Sequence, residues 1–274
     1  MSTATYEAPR ASLRDRIAYN LRVIGVTAML EFKLKYADSA LGYVWSLAKP
    51  LAYFGVLYVV FGRFFKTGVE NFPLYLLTGL VLYMFFVDAV GATLPSVVSR
   101  GSILRRLSFP PLVIPASATV TVALTFLLNS LAVAVFVAAS GETLRWQWLL
   151  IPLLLIELYV FILGVGLIVA TLFVRLKDIA QIWDLAAQLL LFGSPIMYPI
   201  TILPEWAQQI VTLNPFVQII QDVRSVLLAS GNPTVDTLLG QPQLRLIPIA
   251  LAVATFVFGL WLYRRESPRF AESV

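Results

Sequence analysis

The chain has 274 residues, of which 59% are hydrophobic and 13% are charged, and its net charge is +5. Soluble domains carry about 25% charged residues, so this composition is typical of a protein that folds in a lipid bilayer. The sequence contains neither cysteine nor histidine, which excludes disulfides, thiol or imidazole catalysis and most zinc or haem sites. We therefore predict no catalytic, cofactor-binding or metal-binding residue in this chain.

The first predicted element is an amphipathic helix over residues 12–36. An apolar stripe recurs at spacings of three and four residues and consists of Leu13, Ile17, Leu21, Ile24 and Ala28. Ser12, with Asp15 three residues later, is typical of a capping box at the start of a helix. We interpret this segment as a helix on the cytoplasmic membrane surface, and a disordered basic leader is the alternative.

Six apolar segments follow, each with the length of about 20 residues that a spanning helix needs. They cover residues 45–65, 72–95, 110–139, 148–174, 179–200 and 246–263. The first is the weakest, because Lys49 and Arg63 flank its apolar centre, although both can snorkel to the interfaces. The predicted fold class is an all-α integral membrane protein, and the 274 residues form a single transmembrane domain.

Positive charges predict the orientation of these spans. With the N-terminus in the cytoplasm, 15 lysines and arginines lie inside and 5 lie outside. Because cytoplasmic loops are enriched in Lys and Arg, this distribution predicts that both termini are cytoplasmic. The membrane topology therefore accounts for the net positive charge, and we predict no nucleic-acid partner.

Residues 201–231 lie between the last two predicted spans and contain two short helical patterns, separated by Asn214 and Pro215. In the second pattern Phe216, Ile220, Val223 and Leu227 lie on one face, and Gln218, Gln221, Asp222 and Ser225 lie on the other. Each pattern is too short to span a bilayer, so we predict a re-entrant hairpin in the outer leaflet. An amphipathic surface loop is the alternative.

No phosphate-cradling motif of the form G-x-x-x-x-G-K-[ST] occurs in the sequence. Uphill transport would therefore need energy from a partner or from an ion gradient. Three acids lie in or near the predicted spans: Asp88, Glu157 and Asp184. A charge in the bilayer is costly, so these groups should face protein or water, either as a proton relay or as packing hydrogen bonds.

An ordered set of short motifs resembles the type-2 ABC exporter permeases. The basic and aromatic run FKLKYADSALGYVW over residues 32–45, with Lys49-Pro50-Leu51 after it, is similar to the family's lead into its first span. The sequence SILRR at residues 102–106, followed by Phe109-Pro110, resembles the cytoplasmic loop after the second span. The sequences RLKDI at 175–179 and SPIMYP at 194–199, with Leu203-Pro204 and Leu213-Asn214-Pro215, resemble the fifth span and the hairpin after it. The similarity is greatest to the branch that exports lipid-linked polysaccharides such as O-antigen, teichoic acid or cell-wall galactan.

This resemblance implies a homodimer of six-helix subunits in the bacterial inner membrane. It also implies that each subunit docks to a separate ATPase subunit, which holds ATP and Mg²⁺, while the chain itself needs no cofactor. The implied residues for coupling to the ATPase are Arg14, Arg16, Arg22, Arg105 and Arg106. The channel or gate candidates are Tyr36, Trp45, Tyr53, Tyr83, Phe86 and Asp88. The motif residues of the fifth helix and the hairpin are Pro195, Tyr198, Pro199, Pro204, Asn214 and Pro215.

Two other functions remain open from the residues alone. One is a secondary transporter driven by an ion gradient through Asp88 and Glu157. The other is a membrane scaffold without transport. A neighbouring reading frame for an ATPase would favour the exporter, and proton-dependent uptake without such a neighbour would favour the secondary transporter.

Overall fold

The computed structural model describes residues 12–37, 42–65, 68–99, 110–142, 145–228 and 232–273. In chain order the α-helices α1 to α11 are Leu13–Ala37, Val44–Leu57, Phe72–Thr93, Ser96–Ser99, Val113–Ala139, Ile151–Arg175, Ile179–Gly193, Glu205–Thr212, Pro215–Leu227, Val235–Leu239 and Leu246–Ser273. A π-helix, Tyr58–Phe64, continues α2, and 3₁₀ turns occupy Trp146–Leu150, Ile200–Ile202 and Pro242–Arg245.

Helix α1 begins with the predicted capping box. The Ser12 amide donates to Asp15 Oδ2 at 3.1 Å, and the Asp15 amide donates to Ser12 Oγ at 3.2 Å. Farther along, α1 packs against α5, where the Thr121 hydroxyl donates to Glu31 Oε2 at 3.1 Å. The predicted helix is therefore confirmed. Ile17 and Leu21 of its apolar stripe are exposed, which leaves them available to a membrane surface.

Within the described residues, five helices are long and apolar enough to cross a membrane. They are Val44–Phe64, Phe72–Thr93, Val113–Ala139, Trp146–Arg175 and Gln243–Phe270. The predicted span over residues 179–200 is shorter than expected, since α7 ends at Gly193. Proline at 195 disfavours helical geometry at Ser194, which has extended dihedral angles (φ −102°, ψ 148°). At 1.5 Å per residue, the 15 residues of α7 extend only about 22 Å.

Helix α3 is the centre of the core, and α5, α6 and α9 pack around it. Helix α9 is buried on nearly all sides, including Gln218, Gln221 and Asp222 of its polar face. The prediction of two short helices separated at Asn214 is confirmed. A surface loop, the alternative interpretation, does not fit a helix whose polar face is buried in the protein.

Helices α6 and α11 cross at two glycines. A Cβ atom added to Gly164 would lie 2.6 Å from the Phe256 amide nitrogen, and one added to Gly259 would collide with the carbonyl oxygen of Gly164. The two backbones are therefore in direct contact, which is a common way for membrane helices to associate.

Two sets of contacts define the ends of the helix bundle. At one end the Tyr263 hydroxyl donates to the Pro111 carbonyl at 3.0 Å, and Arg175 pairs with the buried carboxylate of Glu266. We call this end, which also carries Lys177 and Arg264, the basic end. At the opposite end, the hairpin end, Asn71 donates to Glu142 at 2.8 Å and Arg145 donates to the Val226 carbonyl at 3.2 Å.

Candidate functional site

The segment directly after α7 is non-helical, and the side chain of one arginine donates hydrogen bonds to its backbone carbonyls. Arg224, on α9, is fully buried. Its Nη1 donates to the Pro195 carbonyl at 2.6 Å, its Nη2 to the Ile196 carbonyl at 2.8 Å and its Nε to the Tyr75 carbonyl at 3.1 Å. The guanidinium thereby joins the segment after α7 to α3.

Tyr75 completes this arrangement from α3. Its hydroxyl lies 3.3 Å from the Pro195 carbonyl and 3.1 Å from the Tyr198 carbonyl, so it donates to the same non-helical segment. Its ring lies beneath the guanidinium, with Arg224 Cζ 3.5 Å from the ring centroid. Gly79 gives the guanidinium its space, because a Cβ there would collide with Nη2.

The Arg224 guanidinium is a positive charge buried inside the protein, because arginine is not deprotonated in proteins. A buried charge is costly unless it is fully hydrogen-bonded. Three backbone carbonyls and the face of Tyr75 supply that compensation here.

A second arginine fixes the other side of α9. Arg245 Nη2 donates to Asp222 Oδ2 at 2.9 Å, and Arg245 Nη1 lies 3.4 Å from Asp236 Oδ2. Asp222 also accepts a hydrogen bond from Gln218 one turn earlier. Burial raises the pKa of Asp222, while the charge of Arg245 opposes that rise. Helix α9 is thus connected to the start of α11 as well as to α3.

The predicted motif residues lie along this same region. Asn214 Oδ1 accepts from the Phe216 amide at 3.0 Å and caps α9, with Pro215 as the first helical residue. Pro204 is exposed and its carbonyl accepts the first hydrogen bonds of α8. Of the predicted set, Pro195 and Tyr198 accept hydrogen bonds from Tyr75 or Arg224, while Pro199, Pro204, Asn214 and Pro215 make only local contacts at the starts of the next helical turns.

Three of the channel candidates lie close to the α1–α2 connection or on α2. Tyr36 is buried against Phe32 and Tyr43, with ring centroids 5.4 and 4.7 Å away. Trp45 and Tyr53 are 59% and 50% exposed. Helix α2 thus presents an aromatic surface outward, and its role in a pathway stays a prediction.

Two further channel candidates lie in the core. The Tyr83 hydroxyl donates to the Ala187 carbonyl at 2.9 Å and joins α3 to α7. Phe86 packs against Phe161 and Phe216, with ring centroids 5.5 and 4.8 Å away. In this conformation both side chains position helices and do not line an open surface.

The acids identified from the sequence fall into two separate groups. Asp88 lies 4.0 Å from Lys49 Nζ and lines a cavity of about 400 Å³ with Asp184 and Trp183. Glu157 instead lies beside Gln218 and Asp222 under α9. The structure does not bring Asp88 and Glu157 together, so it offers no direct relay between them.

The structure describes only some of the arginines predicted to couple the chain to the ATPase. Arg14 and Arg22 are exposed on α1. Arg16 belongs to the same helix, but its side chain lies outside the described residues, as do Arg105 and Arg106. Their proposed role stays a prediction.

Sequence reasoning missed Arg224, whose large polar side chain is fully buried. It did not single out Tyr75 either. A signal was present, because Arg224 is the one basic residue within the α9 sequence and lies in an otherwise apolar stripe with Val223 and Leu227.

Comparisons with known proteins agree with this architecture. Residues 22–228 match the ABC-2 type transporter family. The O-antigen export system permease protein RfbA of Klebsiella pneumoniae is 29% identical over 262 residues, which cover 95% of this chain and 98% of that protein. The RfbA protein of Myxococcus xanthus is 26% identical, over 89% of this chain and 92% of its own length. The polysialic acid transport protein KpsM of Escherichia coli is 20% identical, over 78% and 84%.

The fold and the buried polar assembly define a multi-pass α-helical membrane protein. The match over residues 22–228 then makes the assignment more specific, and the chain belongs to the ABC-2 type transporter family.

We predict that Arg224→Met destabilises the chain by at least about 3 kcal/mol, because it removes three hydrogen bonds from a charged donor to buried backbone carbonyls. Arg224→Lys should recover only part of this loss, since an ammonium group cannot reproduce the planar fork of a guanidinium. The measurement is thermal unfolding of the purified chain in detergent micelles. The control is Arg264→Met, an exposed arginine on α11, which should change stability by less than about 0.5 kcal/mol. Equal unfolding temperatures for Arg224→Met and the control would contradict this assignment.

Proposed function

We propose that the chain is the permease subunit of an ABC exporter that moves a lipid-linked polysaccharide out of the cytoplasm across the bacterial inner membrane. The observation that carries this proposal is the similarity to O-antigen export permeases over nearly the whole chain, together with the family match. The polysialic acid transport relative supports polysaccharide as the general substrate class.

A separate ATPase subunit supplies the energy in this proposal. The sequence has no phosphate-cradling motif, so the chain has no place of its own for nucleotide phosphates. Helix α1 and the loop at residues 101–108 are the proposed contacts with the ATPase. The hydrogen bond from Tyr263 to Pro111 connects the chain just after this loop to α11.

A second copy of the chain completes the pathway in this proposal. In this proposal the two copies meet on the outward-facing apolar side chains of α2, its π-helical continuation and α7, which have no protein cover within the chain: Val44, Trp45, Val56, Val59, Ile182, Leu185, Leu189 and Phe192. The exposed Tyr53 on α2 would then lie close to the passing glycan, where its ring could contact apolar faces of sugars.

Six crossings and two cytoplasmic termini also belong to the proposal. Helix α7 is about 22 Å long, and the hydrocarbon core is about 30 Å thick. The non-helical segment Ser194–Pro199 would cover the remaining depth. Non-helical backbone is tolerated there only if protein satisfies it, and Arg224 and Tyr75 meet that requirement. Helices α8 and α9 would form the re-entrant hairpin in the outer leaflet.

Export is tested in a strain that lacks this gene. We expect the polysaccharide to disappear from the cell surface and its lipid-linked form to accumulate inside, with recovery when the gene is restored. Replacing the P-loop lysine of the partner ATPase should cause the same defect, because the chain has no energy source of its own. Export that persists with the disabled ATPase and stops when the ion gradient is collapsed would favour the secondary transporter instead.

Docking is tested by charge reversal in the loop at residues 101–108. The double variant Arg105→Glu, Arg106→Glu should weaken copurification of the ATPase by at least about tenfold, because it turns attraction to an acidic partner into repulsion. Arg264→Glu with Arg265→Glu, a reversal of two exposed charges on α11, is the matched control and should retain the ATPase. Equal retention by both double variants would place the contact elsewhere.

Topology is tested by single cysteines, which the native sequence lacks. Gln209→Cys on α8 and Leu176→Cys between α6 and α7 replace two exposed residues on either side of α7. A membrane-impermeant maleimide applied to spheroplasts should label Gln209→Cys at once and Leu176→Cys only after permeabilisation. Labelling of both positions from one side would mean that α7 does not cross, and the reverse pattern would invert the orientation.

A further inference from the structure

A group of acidic side chains lies under α9, where this helix packs against α6. Glu157 on α6 lies beside Gln218 and Asp222 of α9, and the last two residues are 0% and 1% exposed. Asp236 on α10 belongs to the same group, because it shares the guanidinium of Arg245 with Asp222. The group thus combines three carboxyl groups, one carboxamide and one guanidinium.

One cation serves two of these carboxyl groups. Arg245 Nη2 donates to Asp222 Oδ2 at 2.9 Å, and its Nη1 lies 3.4 Å from Asp236 Oδ2. Among the described residues, Glu157 forms no salt bridge of its own. Full ionisation would therefore place three negative charges around one positive charge. An uncompensated charge is costly in a helix that spans a membrane.

The other elements around α6 do not change this balance. Helix α5 has no charged residue, and α11 has none before Arg264. The single acids of α3 and α7, Asp88 and Asp184, line a separate cavity. The two further arginines that contact this region, Arg145 and Arg224, donate to backbone carbonyls. The charge on Glu157 is therefore not compensated by another element.

The hydrogen bonds of the group are also incomplete. Three oxygen atoms at the contact between α6 and α9 are buried without a partner in the part of the chain that the structure describes: Glu157 Oε1, Gln218 Oε1 and Asp222 Oδ1. All three are acceptors when both acids are ionised, whereas a protonated carboxyl group has one O–H donor. A single proton would therefore supply the donor that these acceptors lack.

The surroundings of the two acids indicate which of them holds the proton. Asp222 Oδ2 accepts from Arg245 and from Gln218, and both hydrogen bonds stabilise the ionised form. Glu157 instead lies next to the negative charge of Asp222, and a like charge disfavours a second ionised carboxyl group. The proton is therefore expected on Glu157.

We propose that Glu157 is a proton-binding site, at which a protonated carboxyl group on α6 donates a hydrogen bond to α9. Release of the proton would place a second negative charge beside Asp222 and replace this hydrogen bond with repulsion. The packing of α9, which carries Arg224, would then depend on pH. The site consists of the chain's own side chains and stands or falls separately from the proposed function.

Infrared spectroscopy of the full chain in nanodiscs tests for the proton directly. At neutral pH we expect the C=O stretching band of a protonated carboxyl group, and this band should shift when glutamate carboxyl groups carry a heavy carbon isotope. Glu157→Gln should remove the band, whereas Glu205→Gln, a change of an exposed glutamate on α8, should leave it unchanged. Absence of an isotope-sensitive band from the parent chain, or a band that persists in Glu157→Gln, would overturn the proposal.

Thermal unfolding at different pH values tests the consequence for stability. A proton that the folded chain holds and the unfolded chain releases lowers the free energy of unfolding as the pH rises. The unfolding temperature of the parent chain should therefore fall between about pH 5 and pH 8, where an exposed glutamate is already ionised. Glu157→Gln, which keeps a donor but cannot ionise, should remove most of this fall, and Glu205→Gln should retain it. Equal falls in both variants would contradict the assignment of the proton to Glu157.

Discussion

The guanidinium of Arg224 is the contact on which the rest of this structure depends. A chain inside a bilayer has no water to satisfy its backbone, so a helix can stop at membrane depth only where protein replaces the missing partners. Helix α7 stops early, at Gly193, and the carbonyls of Pro195 and Ile196 accept from Arg224. These hydrogen bonds hold α9 against α3 and the segment after α7, and the Tyr75 hydroxyl donates to the same segment.

The polar residues of α9 are likewise explained by hydrogen bonds within the protein. A helix with polar and apolar faces is usually placed at a surface, yet α9 uses its polar face for contacts within the protein. Asp222 meets Arg245 at the start of α11, while Arg224 reaches α3 and the segment after α7. One short helix thereby connects three longer ones. It does so through directional hydrogen bonds instead of apolar side-chain packing.

Much of the fold could be predicted from the sequence, because apolar length and helix-capping residues are local signals. The structure confirms the capping box of Ser12 and Asp15, the cap at Asn214 and five helices that are long and apolar enough to span a membrane. The end of α7 was placed seven residues too late, since the apolar run continues to Ile200 although the helix does not. The periodicity of the sequence predicted which residues form the apolar and polar faces of α9. It did not predict which elements cover each face, because this depends on tertiary contacts. The channel candidates Tyr83 and Phe86 are buried, and this burial depends on tertiary packing that the sequence does not show.

The glycine crossing of α6 and α11 has a mechanical consequence. The backbones of α6 and α11 touch without a layer of side chains between them that could slide or repack. The two helices should therefore respond to a force as one rigid unit. Arg175 and Glu266 fasten the same two helices again at the basic end. Helices α2 and α7 contact α3 through side chains, in the Lys49–Asp88 pair and the hydrogen bond from Tyr83 to the Ala187 carbonyl, and they keep broad apolar surfaces outside the core. A force applied at the basic end is therefore expected to move α6 and α11 together as one unit.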